Sequence, residues 1–408
     1  MVATPTLFRV DGVRYKSGMR ESTQVVVIGA GPAGLTLATL LRRAGVDCVV
    51  LEKQSRSHVE HRQRAGVLDH AGTRIFEEWG FADTLLAGAP EDSLIEIRVD
   101  GKQRLLDIPS LSGGRTGRII PQQILVTRLV AAFLDDGGDL RFEADEVTPR
   151  DLDGARPTVA YRDPDGTAHE IVCDYVAGCD GYHGVSRPSV PADALTAYTY
   201  DHGIGWLTVL ADTPPPRHPL FAISSSGFAA QFPRGPAASR YYLECAVTDG
   251  PDDWDDDRIW TQLRLRLGDD DLPAGPITEK TIVEMRSFVV DPMRYGRLFL
   301  LGDAAHILTP MGGKGMNLAI GDADVLARAL RAAVHDGDEQ WLDAYSATCL
   351  ERVWNYQEYS RWLTEMVHES GDVTLAGTFR RQLARARLDR LFTSDPAARA
   401  FADLMAGG

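Results

Sequence analysis

Short, uninterrupted apolar runs are the strongest pattern in this chain. VVVI at 25–28, CVVL at 48–51, YVAG at 175–178 and LFL at 298–300 each soon reach a glycine or an acidic residue. Runs this short, without polar alternation, predict strands buried on both faces. Residues 24–51 therefore read as strand, glycine turn, helix, strand. Helical spacing returns over 316–334 and 341–368, and FRRQLARARLDRL at 379–391 reads as a basic amphipathic helix on a charged surface. Residues 90–120 and 198–247 carry short strands between proline and glycine breaks, TPPPRHP at 213–219 among them. Residues 1–20 read as an N-terminal extension in which LFRVDGVRY offers at most a small Asp-Gly hairpin. The whole predicts a mixed α/β (α+β) fold.

A chain of 408 residues suggests two or three domains with ample core. Its net charge of −15 argues against nucleic acid or an anionic membrane as partner. No apolar run reaches the roughly 18 residues a membrane span needs, and the N-terminus lacks a signal-peptide core. Five cysteines, odd in number and without a CxxC pair, argue against a disulfide framework or a zinc site. The expected compartment is a reduced cytoplasm, and no metal is expected. DGPDDWDDDR at 249–258 reads as a solvated acidic face.

The first motif with chemistry is QVVVIGAGPAGLTLATLLRRAGVDCVVLEK, residues 24–53. Gly29, Gly31 and Gly34 form GxGxxG between a strand and a helix, the context that gives the motif meaning. Gly29 permits the tight turn, Gly31 lets the backbone approach a pyrophosphate, and Gly34 allows close helix–strand packing; Ala33 sits among them. The helix N-terminus offers unpaired N–H groups to phosphate. Glu52, at the end of the second strand, is placed to accept from a ribose hydroxyl. A carboxylate there does not welcome a 2′-phosphate, so the nucleotide is FAD or NAD. CDYVAGCDGYHGVSR (173–187) then carries Asp180–Gly181, and LGDAAHILTPMGGKGMN (301–317) carries Gly302–Asp303. The glycines of that last stretch oppose helix formation, which argues for a ligand lying against the backbone.

GxGxxG, DG and GD in this order resemble the FAD-dependent aromatic-ring hydroxylases among flavoprotein monooxygenases. RQRAGVLDHAG (62–72), LSGGRT (111–116), GWLTVLADTPP (205–215), RSFVVDPM (286–293) and GRLFLLGDAAH (296–306) extend the similarity to the p-hydroxybenzoate hydroxylase type. It covers residues 21 to about 370 clearly and the remainder weakly. It implies a Rossmann-like FAD-binding domain (21–195 with 281–335), a sheet-rich substrate domain (196–280) and a C-terminal helical part (336–408). It also implies non-covalent FAD, NAD(P)H as co-substrate, and transfer of oxygen to an aromatic ring from a flavin C4a-hydroperoxide. Asp303 would accept from the ribityl chain. The N–H groups near Met316 and Asn317 would favour negative charge on the reduced flavin, with Lys314 either adding positive potential or simply solvated. Arg62, Arg64, Ala65, Gly66, Val67 and Gln123 would also line FAD. Lys53, Gln54, His58, Arg62, Arg64, His183 and Arg286 fall on positions that touch the nicotinamide nucleotide, and the positive patch of Lys53, Arg56 and His58 favours NADPH over NADH.

At the substrate the resemblance implies both agreement and departure. Arg234 falls where an arginine grips a benzoate carboxylate, and Tyr242 on the tyrosine that assists it. Pro310 falls on the proline whose carbonyl faces the substrate hydroxyl. Phe232 replaces a carboxylate-binding serine, and Phe221 falls near the tyrosine that hydrogen-bonds the phenol. The second relay tyrosine corresponds to Met405 and the relay histidine to Asp92. The expected substrate is a small aromatic carboxylate bearing an amino group, such as 3-amino-4-hydroxybenzoate, with ordinary 4-hydroxybenzoate as the alternative. In that alternative, Ser224 or Tyr241 would rebuild the relay. A flavin halogenase would need a WxWxIP-type signature, which is absent, and a non-catalytic sensing module would need an appended segment for which 20 extra residues leave little room. Whether the enzyme is a homodimer is left open by the sequence.

Overall fold

The computed structural model describes residues 7–10, 13–16, 21–62, 66–92, 94–368 and 374–408. The apolar runs form the centre of a six-stranded sheet in the order Asp139–Arg141, Cys48–Leu51, Val25–Ile28, Tyr175–Gly178, Leu298–Leu300 and Arg294–Tyr295. Its pairings are parallel except at the last edge. Parallel strands need cover on both faces, which is why these runs contain no polar position. Every residue of Val25–Ile28 and Cys48–Leu51 is buried. The helix Pro32–Arg43 packs on Gln122–Asp135 and on the long helix Gly315–Asp336.

An eight-stranded sheet runs His306–Ile307, Ile277–Asp291, Thr196–Ala211, Ser239–Cys245, Gly227–Pro233, Leu220–Ser224, Leu94–Val99 and Lys102–Asp107. Leu94–Asp107, close in sequence to the strands of the six-stranded sheet, thus pairs here, through a parallel contact with Leu220–Ile223. Alternation along the strands sorts the side chains onto two faces. Leu207, Val209, Tyr241 and Leu243 pack beneath the helix Asp256–Leu267 with Trp260 and Leu263. Trp206, Phe221, Phe228 and Tyr242 face the main core instead. Smaller sheets of three and four strands complete the β structure, and Leu7–Val10 pairs with Val13–Lys16 in the expected hairpin.

The acidic run at 249–258 is more than a solvated face. Asp255 caps the helix Asp256–Leu267 through Arg258 N at 2.7 Å, and Asp249 accepts from the indole of Trp254, itself buried. The helix Leu375–Thr393 buries Leu388 and Leu391 but exposes Phe379 and Leu383, so it has no single apolar face; Arg104 and Asp100 of the sheet edge pair with its Asp389 and Arg385. No described helix is long and apolar enough to cross a membrane.

Candidate active site

The glycine turn closes because two of its glycines tolerate no side chain, while the third leaves open space. Gly29 has φ +103°, and a Cβ there would lie 2.5 Å from the Cys179 carbonyl oxygen; one on Gly34 would lie 2.0 Å from the Gly29 carbonyl. Gly31, just before the helix Pro32–Arg43, instead faces open space, with nothing within 4 Å of its would-be Cβ. Ala33 is buried in the first turn. Glu52 fastens the loop: one carboxylate oxygen accepts from Ala30 N and the other from Gln54 N, each at 2.7 Å. Gly66 packs so tightly that a Cβ would stand 1.9 Å from Ile120 O. Gln123, in the first turn of its helix, has a buried Oε1 without a partner, as does Oδ1 of Asp180, whose other oxygen holds Ser186. Burial raises the Asp180 carboxyl above its ordinary value. Open space over glycine backbone, with two orphaned acceptors, fits a nucleotide rich in hydroxyl donors. Arg62 follows the short helix Arg56–His61, while Arg64 and Ala65 lie outside the described residues.

The Gly302–Asp303 loop is anchored from beneath. Asp303 sits in the turn Gly302–Ala304, where Gly302 has φ +57° and donates its N–H to Asp322 at 3.1 Å. The buried Asp322 carboxylate also meets buried His306 Nε2 at 2.6 Å and the half-buried Arg352 at 3.4 Å. Burial works to raise this carboxyl, but His306 and Arg352 hold it below its usual value. Thr309 Oγ1 bonds Ser360 at 2.6 Å and Thr364 at 2.8 Å, tying the loop to the helix Gln340–Val367. Gly313 and Gly315 leave open space above the loop. Met316 and Asn317 occupy the first turn of Gly315–Asp336, and Asn317 clamps Val67 O, Gly313 O and Asp69 N at 2.9 Å each.

Lys314 is not solvated. It is 1% exposed, donates to Asp69 at 2.7 Å and to the Met405 carbonyl at 2.8 Å, and lies over the Tyr356 ring. The sequence concealed this pair because its members stand 245 positions apart.

Arg234 follows the strand Gly227–Pro233 and is hydrogen-bonded to the Tyr242 hydroxyl; burial lowers its pKa, and Tyr242 works against that shift. Tyr242 packs on Trp206 at 4.8 Å and on Phe232 at 5.6 Å, and Phe232 meets Phe221 edge-on at 5.3 Å. The structure therefore brings Arg234, Tyr242, Phe232 and Phe221 into one aromatic wall. Arg240, two positions before Tyr242 on the same face, is a buried cation that motif reading missed; its Nε has no partner and Glu279 lies 3.7 Å away. His368 closes the wall, taking the Trp206 indole N–H at 2.6 Å and bonding Thr364 O at 2.9 Å; burial lowers its pKa to about 4. Pro310 opens the turn Pro310–Gly312, and its carbonyl accepts from Gly313 N at 3.0 Å. Phe221 and Met405 line one cavity, whereas the side chain of Asp92 lies outside the described residues. Tyr241 points to the other face and bonds Thr213 and Gln231, and Ser224 bonds Gly227 in a hairpin turn, so neither faces this wall.

His183 and Arg286 converge on the ring of Tyr182, at 4.9 and 5.4 Å. Lys53 and Gln54 follow the strand Cys48–Leu51, and Lys53 is exposed beside Asp145.

The FAD binding domain family matches residues 22–360. The p-hydroxybenzoate hydroxylase of Acinetobacter baylyi is 40% identical over 350 residues, 85% of this chain and 86% of that protein. A probable NADH-specific resorcinol 4-hydroxylase of Rhodococcus jostii is 27% identical, over 87% of this chain and 66% of that one. Among solved structures, p-nitrophenol 4-monooxygenase of Pseudomonas putida superimposes with a TM-score of 0.78 over 95% of this chain and 99% of that one; at 21% identity it speaks for the fold alone. With the glycine cradle, the GD turn and these relatives together, the chain belongs to the p-hydroxybenzoate hydroxylase-like family of FAD-dependent aromatic monooxygenases, which draw their electrons from NAD(P)H.

Proposed function

We propose that this enzyme hydroxylates a small aromatic carboxylate whose ring is activated without ionising a phenol, an amino-substituted hydroxybenzoate such as 3-amino-4-hydroxybenzoate being the candidate. Phe221 and Met405, which line one cavity and fall where the resemblance implies hydroxyls, are the observation that carries this reading. A phenol with a pKa near 10 stays protonated at neutral pH unless a relay removes its proton, and neither side chain transfers one. An amino group feeds electrons into the ring while neutral. FAD, when bound, supplies electron transfer from NAD(P)H and the activation of dioxygen. One oxygen atom is inserted into a ring C–H bond to give C–OH, the other leaves as water, NAD(P)H supplies the hydride and solvent supplies one proton.

The chain's own residues do the rest. Glu52 and the glycine turn hold the nucleotide end, with Gly29, Gly31, Ala33, Gly34, Gly66, Val67, Gln123 and Asp303 forming the cradle. The first turn of Gly315–Asp336, at Met316 and Asn317, presents N–H groups and their dipole to anionic charge. Arg234, supported by Tyr242, holds the carboxylate, and the aromatic wall excludes water. Lys53, Gln54, Arg62, His183 and Arg286 are the proposed nicotinamide contacts.

Ordinary 4-hydroxybenzoate is the second reading, favoured by the 40% identity to a hydroxylase of that substrate. Coupled product formation from 4-hydroxybenzoate, 3-amino-4-hydroxybenzoate and 4-aminobenzoate separates the two. Amino substrates should give product stoichiometric with NAD(P)H, and 4-hydroxybenzoate mostly wasted NAD(P)H. Tight coupling on 4-hydroxybenzoate would decide for the second reading.

A further inference from the structure

The aromatic wall is held from behind by a buried imidazole that no step above uses. His368 ends the helix Gln340–Val367, lies out of contact with solvent and meets the indole Nε1 of Trp206 at 2.6 Å. An indole N–H can only donate, so Nε2 of His368 must accept, and the proton of the neutral ring lies on Nδ1. Nδ1 then donates to the Thr364 carbonyl at 2.9 Å. Both ring nitrogens are thus satisfied in a single tautomer.

What that hydrogen bond adds is direction. Trp206 lies flat on Phe228, with centroids 5.4 Å apart and planes 9° from parallel. Stacked rings slide and turn over one another at little cost, so this contact alone does not fix the indole within its plane. The bond to His368 does, because an N–H donor prefers a near-linear approach to its acceptor. Tyr242 meets the indole at 4.8 Å and Phe232 at 5.6 Å, and its hydroxyl is hydrogen-bonded to Arg234. His368, Trp206, Tyr242 and Arg234 therefore form one unbroken chain of contacts.

We propose that His368 is a positioning residue of the substrate grip. By fixing the Trp206 indole it fixes the Tyr242 ring, and with it the Arg234 fork that receives the carboxylate. This rests on the reading above that Arg234 holds a carboxylate. A fork held in place beforehand loses less freedom when the acid binds, so affinity gains while the chemical step does not. His368 itself touches neither substrate nor flavin in this role; it acts through the two rings between it and Arg234.

The test titrates the FAD-loaded enzyme and its variants with 4-hydroxybenzoate and 3-amino-4-hydroxybenzoate, following the flavin spectrum, and measures KM, kcat and FAD affinity. His368→Phe keeps a ring but removes the acceptor, and Trp206→Phe keeps a ring but removes the donor. Each should weaken the better-binding acid on the order of tenfold and raise its KM alike, with kcat and FAD affinity within about twofold of wild type. His368→Gln, whose amide oxygen can still accept, should recover most of the loss. In the Arg234→Ala background neither Phe substitution should weaken binding further, because the chain then has no fork to position. Losses that simply add to that of Arg234→Ala, a Gln variant as weak as the Phe variant, or kcat falling as far as affinity would overturn the proposal while the carboxylate reading stands. So would failure of both Phe variants to hold FAD, since the pair would then serve the fold as a whole. If neither acid binds, or Arg234→Ala leaves binding unchanged, the carboxylate reading falls and takes the proposal with it.

Discussion

At Arg234 a cation has left water for an aromatic wall, with the Tyr242 hydroxyl as its hydrogen-bond partner. A substrate carboxylate would complete that environment through a charge-assisted pair contributing roughly 1.5–3 kcal/mol. Arg234→Ala should therefore raise KM for the aromatic acid by one to two orders of magnitude, with FAD affinity unchanged; steady-state kinetics beside a flavin titration check both halves. The buried Lys314–Asp69 pair makes a different prediction. Lys314→Met leaves a buried carboxylate whose other oxygen caps Gly72 N and should cost about 3–5 kcal/mol of stability, whereas Lys314→Met with Asp69→Asn, which keeps that cap, should recover most of it. Thermal melts of the two variants decide, and equal losses would deny the coupling. Glu52→Lys removes the acceptor for Ala30 N and Gln54 N as well as for a ribose, so FAD should be lost on gel filtration.

At the scale of elements, the helix Gln340–Val367 acts as a splint. Its buried hydroxyls Ser360 and Thr364 hold Thr309, Gln357 holds the Phe288 and Ile307 carbonyls, and His368 at its end holds Trp206. Neutral burial of His368 makes that end acid-sensitive. Its pKa falls from 6.5 unfolded to about 4 folded, so between those values the unfolded chain takes up a proton the folded one refuses. Stability is thus intact above pH 6.5 and falls as pH drops toward 4, by up to about 3 kcal/mol. His368→Gln should show a flatter fall than the wild type in chemical denaturation at pH 7 and pH 4.5. Parallel slopes would exclude His368 as the cause. The elements themselves were legible in the sequence where a local rule governs them. GxGxxG with its flanking apolar runs predicted strand, turn and helix at 24–51, and the strands were found at Val25–Ile28 and Cys48–Leu51. The splint's polar stripe was not legible, because Ser360 and Thr364 acquire meaning only from Thr309, some fifty residues away. The burial of Lys314, which decides against the solvated alternative, was not legible for the same reason: it depends on a distant carboxylate, and no local pattern announces one.

Across the whole molecule, the ribbon formed by Thr196–Ala211 and Ile277–Asp291 enters the eight-stranded sheet while one contiguous core spans Val26, Phe228 and Val290. Unfolding should therefore be a single cooperative transition. FAD at a hundredfold excess over its Kd should add about 2.7 kcal/mol to it. Calorimetry with two peaks, only one of them shifted by FAD, would show instead that the nucleotide and substrate parts melt separately.

The parallel sheet also sets a constraint on biosynthesis. Its strands come from residues 25–28, 48–51, 175–178 and 298–300, and the third of these lies between the first and the last. During translation, Tyr175–Gly178 emerges long before Leu298–Leu300, and until that partner is made its far side is an open, wholly apolar edge. Edges of this kind recruit other chains, and non-local pairing is slow to complete. Growth at lower temperature and chaperone supply should thus govern the yield of this protein more than any residue that touches its substrate.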